Sequence, residues 1–128
     1  MLDTHVALWT VTDSPRLPAG ARSLIRHPTS ELFVSIVSIW EIAIKFALRR
    51  GRPTDMPISA QEMMALVDDA QCEVLLVTPT HAIELESLPM LHGDPFDRML
   101  VAQARAEPLR LVTADTRLAA YGAAVEVY

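Results

Sequence analysis

Five carboxylates occupy positions from which a chain can do chemistry: Asp3, Glu41, Asp94, Asp97 and Asp115. The most informative stretch is His92-Gly93-Asp94-Pro95-Phe96-Asp97-Arg98-Met99-Leu100-Val101-Ala102-Gln103-Ala104. Asp94-Pro95 reads as a helix start, because Asp caps well and Pro at the first helical position gives up no hydrogen bond. In that helix Asp97 shares a face with Leu100, Val101 and Ala104, so a carboxylate is centred on the apolar stripe. Burying it ionised is costly without a cation or donors. It is either an acid of a site or an acid at a pocket rim that complements the helix N-terminus. Acids brought together repel, and some must take up protons unless a cation joins them. Mg²⁺ or Mn²⁺ suits oxygen ligands, whereas an all-carboxylate pocket is a poor zinc site. His5 and His92 lie near two of the acids in sequence and read as groups that orient a ligand acid or touch substrate.

The other acids also have ordinary explanations. Asp3 and Asp115 are natural helix N-caps. Glu41 lies three residues after Ser38, which is capping-box spacing, and four before Lys45, an ion pair worth about 0.2–0.5 kcal/mol. What distinguishes the set is where the elements place it. Val6 to Val11 reads as a short helix, and a second begins at Leu17-Pro18 and runs to about Arg26. Glu31–Ser35 is a β-leaning run, followed by a helix beginning at Ser38 and stopping near Arg50 before Gly51 and Pro53. Ser59 to Asp69 is amphipathic, Val74–Val77 reads as a strand, and Pro79 opens a helix to Pro89. The Asp94 helix runs to about Glu107. Leu109–Thr113 is a strand, Thr116–Ala120 a short helix, and Val125–Val127 a last strand.

Alternating strands and helices imply right-handed βαβ units and a parallel sheet covered on both faces, that is, an α/β domain of three α/β/α layers spanning 1–128. In such sheets sites form beyond the carboxyl ends of the strands. Asp3 and Asp115 follow strands, while Glu41 and Asp97 stand in first turns of helices, so all four are expected at one edge. Only Met1 and Leu2 precede Asp3, so the first strand is either very short or begins upstream of this sequence.

Composition narrows the classes. The 128 residues are 51% hydrophobic and 21% charged, which fits a globular domain with a real core. A net charge of −5 argues against a general nucleic-acid coat but not against an enzyme that handles nucleic acid locally. One cysteine, Cys72, excludes an internal disulfide and fits a reducing cytoplasm. No apolar run approaches the roughly 20 residues of a membrane span.

Met1-Leu2-Asp3-Thr4-His5-Val6, Phe33-Val34-Ser35 with Ser38-Ile39-Trp40-Glu41-Ile42-Ala43-Ile44-Lys45, His92-Gly93-Asp94-Pro95-Phe96-Asp97-Arg98 with Ala102-Gln103-Ala104, and Leu111-Val112-Thr113-Ala114-Asp115 together resemble the PIN-domain ribonuclease toxins of the VapC type. The resemblance covers essentially the whole chain, in order. It implies a PIN fold, Mg²⁺- or Mn²⁺-dependent cleavage of RNA, homodimerisation, and inhibition by a cognate antitoxin whose tail enters an acidic groove. It carries the catalytic and metal-binding acids onto Asp3, Glu41, Asp97 and Asp115. Thr4, Thr113 and Arg98 match motif positions expected to hold ligand acids or a phosphate; Asp94, a fifth acid that ranks below Asp97 because it has the stronger N-cap role, and His92 are further supporting candidates. Family members usually have two or three more apolar residues before the first Asp.

Two other readings stand beside this one. An aspartyl-phosphate receiver or phosphatase uses a similar sheet, but it needs a Lys after a late strand, and no Lys follows Asp115. A non-catalytic module of the same fold would use the acidic groove to bind a basic partner.

Overall fold

The computed structural model describes residues 1–128. Its elements are α1 (Thr4–Val11), α2 (Ala19–Ile25), β1 (Phe33–Ser35), α3 (Ile36–Ala47), α4 (Ala60–Asp69), β2 (Glu73–Leu75), α5 (Pro79–Ser87), α6 (Pro95–Ala106), β3 (Leu111–Thr113), a kinked 3-10 segment (Thr116–Ala124) and β4 (Val125–Val127). Two parallel pairs, β1 with β2 and β3 with β4, are joined by Leu2, which bridges in parallel to both Val34 and Val112. The sheet order is therefore β2, β1, the Leu2 bridge, β3, β4. The expected short first strand is a single central bridge. It is held by Leu2 N–H to Phe33 O (2.9 Å), Asp3 N–H to Val112 O (3.0 Å) and Val112 N–H to Met1 O (2.9 Å).

Neighbouring sheet residues enter opposite cores, as the two-residue period of a strand requires. Leu2, Val34 and Val112 pack with Val6, Ile42, Met63 and Val67 under α1, α3 and α4. Met1 and Leu111 pack with Leu100, Val101 and Leu118 under α6, where Phe33 joins them in part. This is the three-layer α/β/α arrangement.

The elements match the expected order, but their ends differ. β1 begins at Phe33 and not Glu31, β3 at Leu111 and not Leu109, and β2 spans Glu73–Leu75 and not Val74–Val77. The 3-10 segment extends to Ala124, past the expected end at Ala120. The larger correction is at α3. β1 passes into it with no loop, so Ser35 at the strand end is the N-cap, its Oγ accepting from Val37 N–H at 3.0 Å. Ser38 is a buried residue inside the helix, the Ser38–Glu41 capping box does not form, and Glu41 lies in the second turn. A Ser–Glu capping box forms instead at the head of α4, between Ser59 and Glu62.

Candidate active site

Asp3 follows the Leu2 bridge and caps α1, its Oδ1 accepting from Val6 N–H at 2.6 Å. Its Oδ2 accepts from the Thr113 hydroxyl at the end of β3. Thr113 Oγ1 in turn accepts from Asp115 N–H at 3.0 Å, so one threonine ties two neighbouring strand ends together. Asp3 is almost fully buried, and burial raises its carboxyl above the ordinary value against the pull of these donors, with the charge of Glu41 adding to the rise.

Glu41 is buried on the adjoining helix. Thr4 Oγ1 donates to its Oε2 at 2.5 Å and lies 3.0 Å from Ser38 Oγ, while Lys45 one turn on pairs with its Oε1. Thr4 thus fixes Glu41 as Thr113 fixes Asp3.

Asp97 is the least committed of the four acids. Asp94 caps α6, accepting from Phe96 N–H at 2.8 Å and from Asp97 N–H at 3.5 Å. The Asp97 side chain is partly buried and accepts no hydrogen bond from the protein in this arrangement. Burial, then Asp94, Glu41 and Asp3, push its carboxyl up to about 6, against the opposing pull of His92.

His92 sits between the last two acids. Its Nδ1 is 3.6 Å from Asp97 Oδ2 and its Nε2 is 3.5 Å from Asp115 Oδ2. Nδ1 accepts the Asp94 N–H at 3.2 Å, which leaves the proton of the neutral ring on Nε2. That Nε2 is buried with no hydrogen-bond partner. One ligand atom from each of His92, Asp97 and Asp115 lies within 4.8 Å of the others. Asp115 caps the 3-10 segment through Arg117 N–H (2.9 Å), and the Arg117 guanidinium grips both its oxygens and holds its carboxyl down at about 2.

The structure therefore brings Asp3, Glu41, Asp94, Asp97, Asp115, Thr4, Thr113 and His92 to the strand-end edge of the sheet. It takes Arg98 away from them. That guanidinium is buried and donates to Pro89 O (2.8 Å), Leu88 O (3.2 Å) and Tyr121 Oη (3.1 Å), because the i+1 position on α6 faces away from Asp97. It holds the segment before His92, not a ligand acid. Sequence reasoning missed Arg117 on Asp115, although an Arg two residues after a capping Asp is within reach of it. The sequence points to His92 only as an accessory; its central position follows from the loop that Arg98 holds.

The donor set fits a hard divalent cation. Asp97, raised by burial and then by the charges of Asp94, Glu41 and Asp3, faces more carboxylate charge than His92 offsets, and carboxylate oxygens are the ligands such a cation takes. The PIN domain family model matches residues 1–124. The chain belongs to the PIN-domain family. Over 119 residues, 92% of this chain and 88% of the relative, it is 33% identical to the protein named Ribonuclease VapC22 of Mycobacterium tuberculosis (strain ATCC 25618 / H37Rv). Its fold is similar to a crystal structure of VapBC2 from Rickettsia felis bound to a DNA fragment from their promoter: TM-score 0.66 and 13% identity over 99% of this chain and 96% of that one. At that identity the second likeness establishes the PIN fold alone. No helix is long and apolar enough to cross a membrane.

Proposed function

We propose that this PIN domain is a Mg²⁺- or Mn²⁺-dependent endoribonuclease acting as the toxin of a toxin–antitoxin pair. Asp3, Glu41, Asp97 and Asp115 serve as its ligand acids. The observation that carries the reading is Asp97: a donor-free carboxylate raised to about 6 by burial and by Asp94, Glu41 and Asp3. The 33% identity to a protein named as a ribonuclease supports the choice of reaction. A bound cation would supply Lewis-acid stabilisation of charge on the phosphodiester and acidify an attacking water. The chain's own part is orientation. Val6 N–H and Thr113 fix Asp3, Thr4 and Lys45 fix Glu41, and the Asp94 cap fixes the first turn that carries Asp97. The buried His92 Nε2–H, 3.5 Å from Asp115 Oδ2, stands beside the ligand acids to orient them.

The proposed partners are RNA, a cognate antitoxin with a basic residue for the acid pocket, and a second copy of the chain. An arginine fork suits paired carboxylates. Exposed Trp40, Ile44 and Leu48 form a stripe along α3 that supports an apolar protein contact. One domain over 1–128 in a reducing cytoplasm completes the reading.

The test is cleavage of structured RNA by purified, antitoxin-free protein in Mg²⁺, in Mn²⁺ and in EDTA. The expected result is cleavage only with metal, leaving 5′-phosphate and 3′-hydroxyl ends, as attack by water and not by the 2′-hydroxyl gives. Cleavage that persists in EDTA overturns it.

A further inference from the structure

Beside the acid pocket lies a groove of about 570 Å³ that the proposed chemistry does not use. Its walls come from α1, the end of α3 and the chain around 52–57. Three cations line it, Arg16, Lys45 and Arg52, against one acid, Asp55, on a chain whose net charge is −5. Two aromatic rings line it as well. His5 and Trp9, one turn apart on α1, stand 6.0 Å between centroids and tilted 46°. Arg16 is exposed and has no ion-pair partner. Asp55 is occupied, accepting from Arg50 N–H (2.6 Å) and Arg52 N–H (2.9 Å), with Arg52 Nε at 3.3 Å. The Arg52 side chain remains 64% exposed in that pairing, so its NH groups still face solvent.

The groove adjoins the acid pocket at two points. Lys45 lines the groove and pairs with Glu41, and His5 lines it two residues after Asp3 and close enough to lower that carboxyl. A strip of cations with interleaved aromatic faces is what a single-stranded nucleic acid needs. Phosphates follow the cations and bases stack on the rings, with little dependence on sequence. The apolar part of the lining, Leu8, Trp9, Leu48 and Met56, lies among the cations, so bases and phosphates both find partners along the same groove. Resting on the ribonuclease reading, we propose that this groove is the subsite for the single-stranded RNA flanking the scissile bond. A base stacks on Trp9, neighbouring phosphates pair with Arg16 and Arg52, and Lys45 marks the turn into the acid pocket.

Binding is measured without cleavage, by fluorescence anisotropy of a labelled unstructured RNA dodecamer in EDTA, at several salt concentrations. Metal-dependent cleavage by the same preparations is followed in parallel. Trp9→Ala is expected to weaken binding at least about five-fold, because the indole on which the base stacks is gone. Arg16→Ala with Arg52→Ala is expected to reduce the slope of log affinity against log salt by about 0.7 for each phosphate that the protein no longer neutralises. Arg105→Ala, a cation outside the groove that pairs with Glu84, is the control and leaves both unchanged. Melting temperatures exclude unfolding of a variant, and Trp9→Phe, which keeps an aromatic face, is expected to recover most of the binding. Wild-type protein that cleaves RNA while the groove variants bind as wild type overturns the subsite and leaves the nuclease standing. Wild-type protein that neither binds nor cleaves overturns both.

Discussion

Thr113 donates its hydroxyl proton to Asp3 Oδ2 while its oxygen accepts the Asp115 N–H at 3.0 Å. The first acid of the site is therefore held not by its own short strand but by the end of the neighbouring one. Thr113→Val keeps the shape and the β-branch and removes the donor. A hydrogen bond to a charged, buried carboxylate contributes about 1.5–3 kcal/mol, so Mn²⁺ affinity is expected to fall roughly ten-fold or more. Thr113→Ser is expected to retain it. Isothermal titration of Mn²⁺ into each variant checks this, and equal affinity for Thr113→Val and wild type would show that Asp3 needs no such support.

Asp97 sets a pH signature. Its carboxyl rises from 3.8 to about 6 on folding, so the ionised form opposes folding fully above about pH 6 and not at all below about pH 4. Metal-free Asp97→Asn is therefore expected to melt above wild type at pH 7.5, with the difference closing as the pH falls toward about 4. Mn²⁺ is expected to raise the wild-type melting temperature more at pH 7.5 than at pH 5, because protons compete for the same oxygens. The same variant is expected to lose cleavage some tens-fold or more, a barrier rise of at least about 2 kcal/mol, while its fold survives. Thermal melts across pH with and without Mn²⁺, alongside RNA cleavage, test the three statements together.

Arg117 is placed to compete with a cation for Asp115. Its fork takes both carboxylate oxygens, and its side chain is otherwise exposed. Arg117→Ala frees those oxygens and removes a positive charge beside the pocket. Mn²⁺ is expected to bind a few-fold more tightly to this variant, an effect that shrinks with added salt because the pair is exposed. Weaker Mn²⁺ binding would instead make Arg117 a residue that orients Asp115 for the metal.

How far this site could be read from sequence depends on what positions each residue. Asp94 and Asp115 were legible as caps because capping is local: a side chain meets an N–H two or three residues on. The meeting of Asp3, Glu41, Asp97 and Asp115 followed from βαβ order, since a parallel sheet collects its strand ends at one edge. The Ser38 cap failed because spacing alone cannot say that β1 runs into α3 without a loop, and Ser35 reaches the helix first. The Thr4–Glu41 and Thr113–Asp3 bonds span 37 and 110 residues, and no local pattern encodes them. Nor does one encode the aim of Arg98, whose partners lie nine, ten and 23 residues away.

That guanidinium acts on the site from outside it. Arg98 is buried, and it satisfies the carbonyls of Leu88 and Pro89 and meets Tyr121 Oη, itself bonded to Pro89 O at 3.1 Å. It thereby pins the segment between α5 and α6 on which His92 is carried to Asp97 and Asp115. Arg98→Ala takes the Arg98 donor from Leu88 O, leaves Pro89 O with Leu91 N–H and Tyr121 Oη alone, and opens space beside Leu88, for an expected loss of about 2–4 kcal/mol of stability. Arg98→Lys keeps the charge but supplies no fork for carbonyls on two residues, so it is expected to recover only part of that stability. Because Arg98 touches none of the acids, the variants are expected to lower melting temperature first and to impair cleavage through His92, with Mn²⁺ affinity less affected than in Asp97→Asn. Chemical denaturation, Mn²⁺ titration and cleavage measured on the same samples separate the two roles. An Arg98→Ala protein of wild-type stability with abolished cleavage would return Arg98 to the phosphate-binding part expected of it from sequence.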